Sequence, residues 1–206
     1  MRTKGAMETP KFIRKILHRE PVKPCPPSLA VKENFLAFLN KPSVDGFEIL
    51  RQQVAASDRY APYSNELDIL MAALCAGEPQ AAIDLFWRSF PNLLLSPLAH
   101  FIQSQAYLDL KMENEAEGEK AIGRLILKSI LATGKGTKKR PYAVMRVEDE
   151  RDVLSALKRQ AGAQFLMTDK SRVFDLIECS EGSEVFFDIT LMFGRGRKKE
   201  ASAVAE

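Results

Sequence analysis

A chain of 206 residues with 46% hydrophobic and 28% charged residues has an ordinary globular composition and can bury a substantial core. Its formal net charge of +3 is too small to argue nucleic-acid binding from the total. The longest apolar runs fall well short of the roughly 18–20 residues that cross a bilayer, and no apolar stretch follows the basic N-terminus, so neither membrane insertion nor a secretory signal is expected.

The charge is uneven along the chain. Basic residues outnumber acidic ones from Arg2 to Lys41, and Arg195, Arg197, Lys198 and Lys199 cluster near the C-terminus. Cys25, Cys75 and Cys179 lie far apart and form no C-x-x-C pair, so reduced thiols in a cytoplasm are the simplest expectation. Cys75 falls in an apolar helical pattern and is read as core.

Residues 1–28 end in Pro21, Pro24, Pro26 and Pro27. Proline lacks a donor and restricts its predecessor, so this stretch reads as an extended basic arm. Before the prolines, Phe12, Ile13, Ile16 and Leu17 have the spacing of a short amphipathic helix. Residues 29–131 read as helical hairpins. A first helix ends at Lys41-Pro42, and Ser43 caps a second carrying Phe47, Leu50 and Val54. Apolar faces then recur through Leu67, Leu70 and Leu74, through Ala82, Leu85 and Phe86, through Ile102 and Ala106, and through Ile122, Leu125, Ile126 and Ile130.

Gly77-Glu78-Pro79-Gln80-Ala81-Ala82 has the character of an inter-helix turn, with Phe86 and Pro91 following. A step of 34 residues carries Ala82 to Ala116 and Leu74 to Leu108, with Ser104 and Tyr107 at positions for a small residue and an aromatic. On these residues the stretch 64–131 resembles tetratricopeptide repeats. Position 111 holds lysine where position 77 holds glycine. The resemblance implies stacked antiparallel hairpins with a groove for a peptide or another protein, in which Phe86, Trp87 or Tyr107 would be the anchors.

After Leu131 the texture changes. Residues 134–140, Gly-Lys-Gly-Thr-Lys-Lys-Arg, form a glycine-rich basic loop. Tyr142 to Val147 reads as a strand, Glu148 to Arg159 as a short helix with acids at its start, and Gln164–Thr168, Arg172–Cys179 and Glu184–Thr190 as strands, with a hairpin turn at 180–183. This gives a β-α-β-β-β module over 141–193 and a disordered tail over 194–206. The fold class expected is therefore α+β, with tetratricopeptide-like hairpins packed against a small sheet module. The module should cap the apolar face of Ile122, Leu125, Ile126 and Ile130. The loop, the Tyr142-Ala143-Val144 strand, the acidic helix start, Asp175-Leu176-Ile177-Glu178 and Val185-Phe186-Phe187-Asp188-Ile189 also resemble a bacterial family of unknown function over 60–193. No activity follows from that resemblance.

The basic loop is not a nucleotide motif. A phosphate-binding loop needs Gly, four residues, then Gly-Lys-Ser/Thr between a strand and a helix, whereas here the order is helix then strand and lysine precedes the second glycine. Lys135, Lys138, Lys139 and Arg140 remain candidates for anion or phosphodiester contact. Asp175, Glu178, Glu184 and Asp188 are the carboxylates that neighbouring strands bring near one another; a catalytic or metal pair would need Asp175 and Asp188 on one face. His18 and His100 are too few for a histidine metal site, and His100 reads as a helix-surface residue. No catalytic residue, metal or cofactor is assigned. The function expected is a non-enzymatic interaction or scaffold protein in the cytoplasm, with an unidentified protein or peptide as partner. The alternative is a nucleic-acid or anion-binding accessory protein using loop 134–140 and the basic termini.

Overall fold

A computed structural model describes residues 26–194, so most of the expected arm and nearly all of the expected tail lie outside the described residues. Among the described residues, helices precede and interleave with one mixed sheet: α1 Pro26–Asn40, α2 Val44–Ala56, α3 Glu66–Cys75, α4 Pro79–Arg88, α5 Pro97–Asp109, α6 Glu113–Thr133, β1 Tyr142–Ala143, α7 Val147–Ala156, β2 Ala161–Asp169, β3 Arg172–Cys179 and β4 Glu184–Asp188. The class is α+β, and the β-α-β-β-β order of the module is the one its sequence predicts. One boundary moves: α1 starts inside the proline cluster, because Pro26 and Pro27 occupy a first turn, where a missing N–H costs nothing.

Helix starts follow local chemistry. The Ser43 hydroxyl accepts from the Gly46 amide at 3.0 Å, and Ser96 caps α5 with Pro97 in its first turn. The two hairpins α3–α4 and α5–α6 end their first helices alike. Gly77 donates to Leu74 and Glu78 to Ala73; 34 residues on, Lys111 donates to Leu108 and Met112 to Tyr107. This is the Schellman arrangement, which needs a left-handed residue. Gly77 supplies it at φ 76°, and Lys111 adopts it at φ 62° despite its Cβ.

The sheet order is β1-β4-β3-β2, with β1 parallel to β4 and the remaining pairs antiparallel. Strand alternation sends Val173, Ile177, Cys179, Val185 and Phe187 to an inner face, where they join one apolar cluster with α1, α2, α6 and α7. Ile122, Ile126 and Ile130 belong to that cluster and Leu125 packs against it, so the face expected to need a cap is covered. Two smaller clusters fill the hairpins: Leu67, Leu70, Phe86 and Ile102 in one, Ala82, Ile83, Ala106 and Tyr107 in the other.

A buried polar seam joins helices to module. Arg146 donates to the carbonyls of Ala61 at 3.1 Å and Ser64 at 2.7 Å, and Tyr60 donates to the Met145 carbonyl at 2.7 Å. Asn92 accepts from the Ala61 amide and donates to Ser64 and Glu66. These bonds tie Tyr60, Ala61 and Ser64 of the 57–65 connection to the module and to Asn92, and satisfy the carbonyls that this seam buries.

Candidate anion-binding cleft

Two hairpin tips meet on the outer side of the sheet. In the first, Lys135 and Thr137 both donate to the Arg140 carbonyl, Arg140 donates back to Thr137, and Lys138–Lys139 form the tip. Gly136 sits at φ 67°, and a Cβ there would come within 2.8 Å of the Tyr142 ring. Its carbonyl accepts from the Phe186 amide at 2.9 Å, which pins this tip to β4. The second tip is the Asp169–Arg172 turn between β2 and β3, with Lys170 left-handed at φ 55°.

Between the tips lies a cleft of about 530 Å³, lined by Lys138, Lys139, Asp169, Lys170, Ser171, Arg172 and Phe174. Two of its cations are partly neutralised: Lys138 pairs with Asp169 at 3.6 Å, and Arg172 pairs with Asp188 at 2.8 Å. The Arg172 guanidinium also lies 4.8 Å over the Phe174 ring, which fixes its plane. Burial alone would raise the Asp188 carboxyl, but hydrogen bonds from Thr190 and Arg172 outweigh it and hold the group below its usual range. Lys139 and Lys170 have no ion pair among the described residues. The cleft therefore presents excess positive charge on two hydrogen-bonded turns, a geometry suited to an anion.

Of the four basic residues predicted, Lys138 and Lys139 line the cleft, while Lys135 and Arg140 stand at the base of their hairpin and do not. Lys170 and Arg172 were not singled out as anion contacts, and only the approach of two turns remote in sequence supplies them. The expected groove anchors are placed differently. Phe86 is 2% exposed and Tyr107 4%, so neither is available to a partner; both fill hairpin cores. Trp87 is half-buried and packs against all three apolar clusters.

The carboxylates also separate. In the β3–β4 register Asp175 lies opposite Phe187 and Asp188 opposite Phe174, so the two aspartates occupy opposite faces and form no pair. Glu178 and Glu184 face each other at the far, exposed end. Asp175 instead meets Glu150 of α7, a residue the sequence reading passed over as a helix-start acid. Burial first, and then the neighbouring Asp175, push the Glu150 carboxyl up to about 9, so it stays protonated and bonds to Asp175. Gln164 donates to Asp175 at 2.9 Å and to Glu150 at 3.4 Å. Asp149 accepts from the Met145 and Arg146 amides at 2.9 and 3.0 Å, and burial raises it to about 7. Among the described residues, no three His, Cys, Asp or Glu side chains are grouped to hold a metal ion.

His100 lies in the core rather than on a helix surface. It is 2% exposed, not on the surface: Nε2 lies 2.9 Å from the Leu94 carbonyl and Nδ1 2.6 Å from Glu119. The ring bolts α5 to α6 and to the 91–96 segment. Cys75, expected in the core, is exposed, and Cys179 is buried. Comparisons of the chain with models of protein families, with curated proteins and with solved structures return no match.

Proposed function

We propose that the protein binds a phosphate-rich polyanion, a single-stranded nucleic acid in the first instance, through the cleft between the 137–140 and 169–172 turns. The observation that carries this reading is the convergence of Lys138, Lys139, Lys170 and Arg172 on one cleft, with only Asp169 and Asp188 to offset them. Each phosphate neutralised by a cation releases counterions, so binding through four cations falls with salt at a logarithmic slope of about −3 for a single strand. The helical hairpins then serve as scaffold. Their helix ends repeat at 34 residues, which supports the tetratricopeptide resemblance, and exposed Ile69, Met71 and Leu108 leave them apolar surface for a protein partner as a second reading.

Fluorescence anisotropy with a labelled ten-nucleotide RNA tests the proposal between 50 and 200 mM salt. Lys139→Glu with Lys170→Glu is expected to weaken binding at least tenfold and to flatten the salt slope by about two units of the ~0.7-per-phosphate rule. Binding that neither salt nor the double substitution alters would overturn it.

A further inference from the structure

Strand β2 closes the sheet on one side, and its outer edge has no strand partner among the described residues. Nearly all of it is exposed, with Phe165 at 46% and Leu166 at 58%. Natural edge strands are blunted by charge, proline or a bulge, because unpaired backbone groups template association. Here such devices stand only at its two ends, the charge of Asp169 at one and a bulge between Ala161 and Gln164 at the other. Beyond it the regular segment Gln164-Phe165-Leu166-Met167-Thr168 carries no charge.

We infer that this edge is an interface between two copies of the chain, paired antiparallel about a two-fold axis at Leu166. The segment is symmetric in polarity about that residue. A two-fold there sets Leu166 against its own copy, Phe165 against Met167 and Gln164 against Thr168. Apolar thus meets apolar and polar meets polar, whereas a slip of one residue would reverse the faces. On the inner side Leu166 lies opposite Asp175 and is itself exposed, so it is free to meet its copy.

Charge selects the same direction. The turn end of the sheet carries Lys138, Lys139, Lys170 and Arg172 against Asp169 and Asp188, an excess of positive charge. The far end carries Glu178, Glu181 and Glu184 against Lys158 and Arg159, an excess of negative charge. Antiparallel pairing brings unlike ends together, and parallel pairing would bring like ends together. A five-residue strand pair, about 17 Å long, falls below the ~1,200 Å² at which standard specific interfaces begin, so the dimer is a weak, reversible one. The product is a continuous eight-stranded sheet with its two basic clefts about 30 Å apart at ~3.3 Å per residue. The dimer does not depend on what the clefts bind.

Sedimentation velocity on the full chain, from roughly 5 to 500 µM, should show a monomer–dimer equilibrium in the micromolar range. Leu166→Lys should weaken it at least tenfold while leaving the melting temperature unchanged. Register is read separately, in a background with Cys25→Ser and Cys75→Ser. Leu166→Cys places two thiols directly across the axis and should oxidise to a covalent dimer, while Thr168→Cys holds them about 13 Å apart and should not. A monomer at every concentration together with no preferential crosslink at 166, or a dimer that Leu166→Lys leaves intact, would overturn the inference. If Leu166→Lys fails to fold, the crosslinking comparison alone decides it.

Discussion

The two faces of the sheet treat the same chemical group in opposite ways. Asp188 on the outer face has Arg172 and Thr190 to bond, and its carboxyl titrates below the usual range although it is partly buried. On the inner face Asp175 meets no cation among the described residues; Gln164 donates to it, and Glu150 comes up against it from α7, keeps its proton to about pH 9 and supplies a second donor. One position along a strand separates the two environments, since Phe174 and Asp188 share one face and Asp175 and Phe187 the other. Burial without a cation turns a carboxyl into a structural hydrogen-bond donor. A cation beside it keeps it charged and leaves the outer face free to display charge. The inner groups hold helices to sheet, and the outer groups are the ones a ligand can reach.

The largest expected effect lies in the inner seam. Arg146→Ala would strand the Ser64 carbonyl, remove one donor from the Ala61 carbonyl, leave Glu148 without its ion pair and open a void, at a cost of about 3–5 kcal/mol, read by urea unfolding. A loss below about 1 kcal/mol would mean that the 57–65 connection is held by other groups.

A smaller effect sharpens the comparison through pH. Glu150 is raised from 4.5 to about 9 in the folded chain, Asp149 from 3.8 to about 7 and Asp152 from 3.8 to about 6, burial being the largest cause in each. Each group binds its proton more tightly folded than unfolded. Its contribution is therefore complete below the unfolded value and is lost as pH rises through the folded one. The melting temperature should fall between pH 6 and pH 9, by about 2–4 °C per kcal/mol in a chain of this size. Glu150→Gln keeps a neutral donor toward Asp175 at every pH, so the variant should match the parent near pH 6, exceed it near pH 9 and show a flatter profile. A parent melting temperature that rises over this range would remove the protonated pair from the inner face.

How much of this was legible beforehand varies with the range of the interaction. Ser43 marked a helix start because a cap is local chemistry, and the 34-residue step was visible in Leu74 and Leu108. Phe86 was legible as core in principle, since it falls on the stripe with Ala82 and Ile83. Lys111 hid the second turn because lysine rarely takes the left-handed conformation that glycine takes at Gly77. His100 looked like a surface residue because its partner Glu119 lies on the next helix. The cleft was half legible. Lys138 and Lys139 stand in an evident basic loop, but Lys170 and Arg172 join them only when two turns meet, through pairings that no local pattern encodes. Glu150 and Asp175 are likewise joined only by the packing of α7 on the sheet.

The division between a structural inner face and a ligand-accessible outer face is tested most directly by amide chemical-shift mapping of the isotope-labelled chain during titration with the ten-nucleotide RNA. Shifts confined to residues 135–140 and 169–174, vanishing as salt rises, are the expected result. Shifts centred on α3 and α5, with the two turns unmoved, would contradict it and make the hairpins the binding surface.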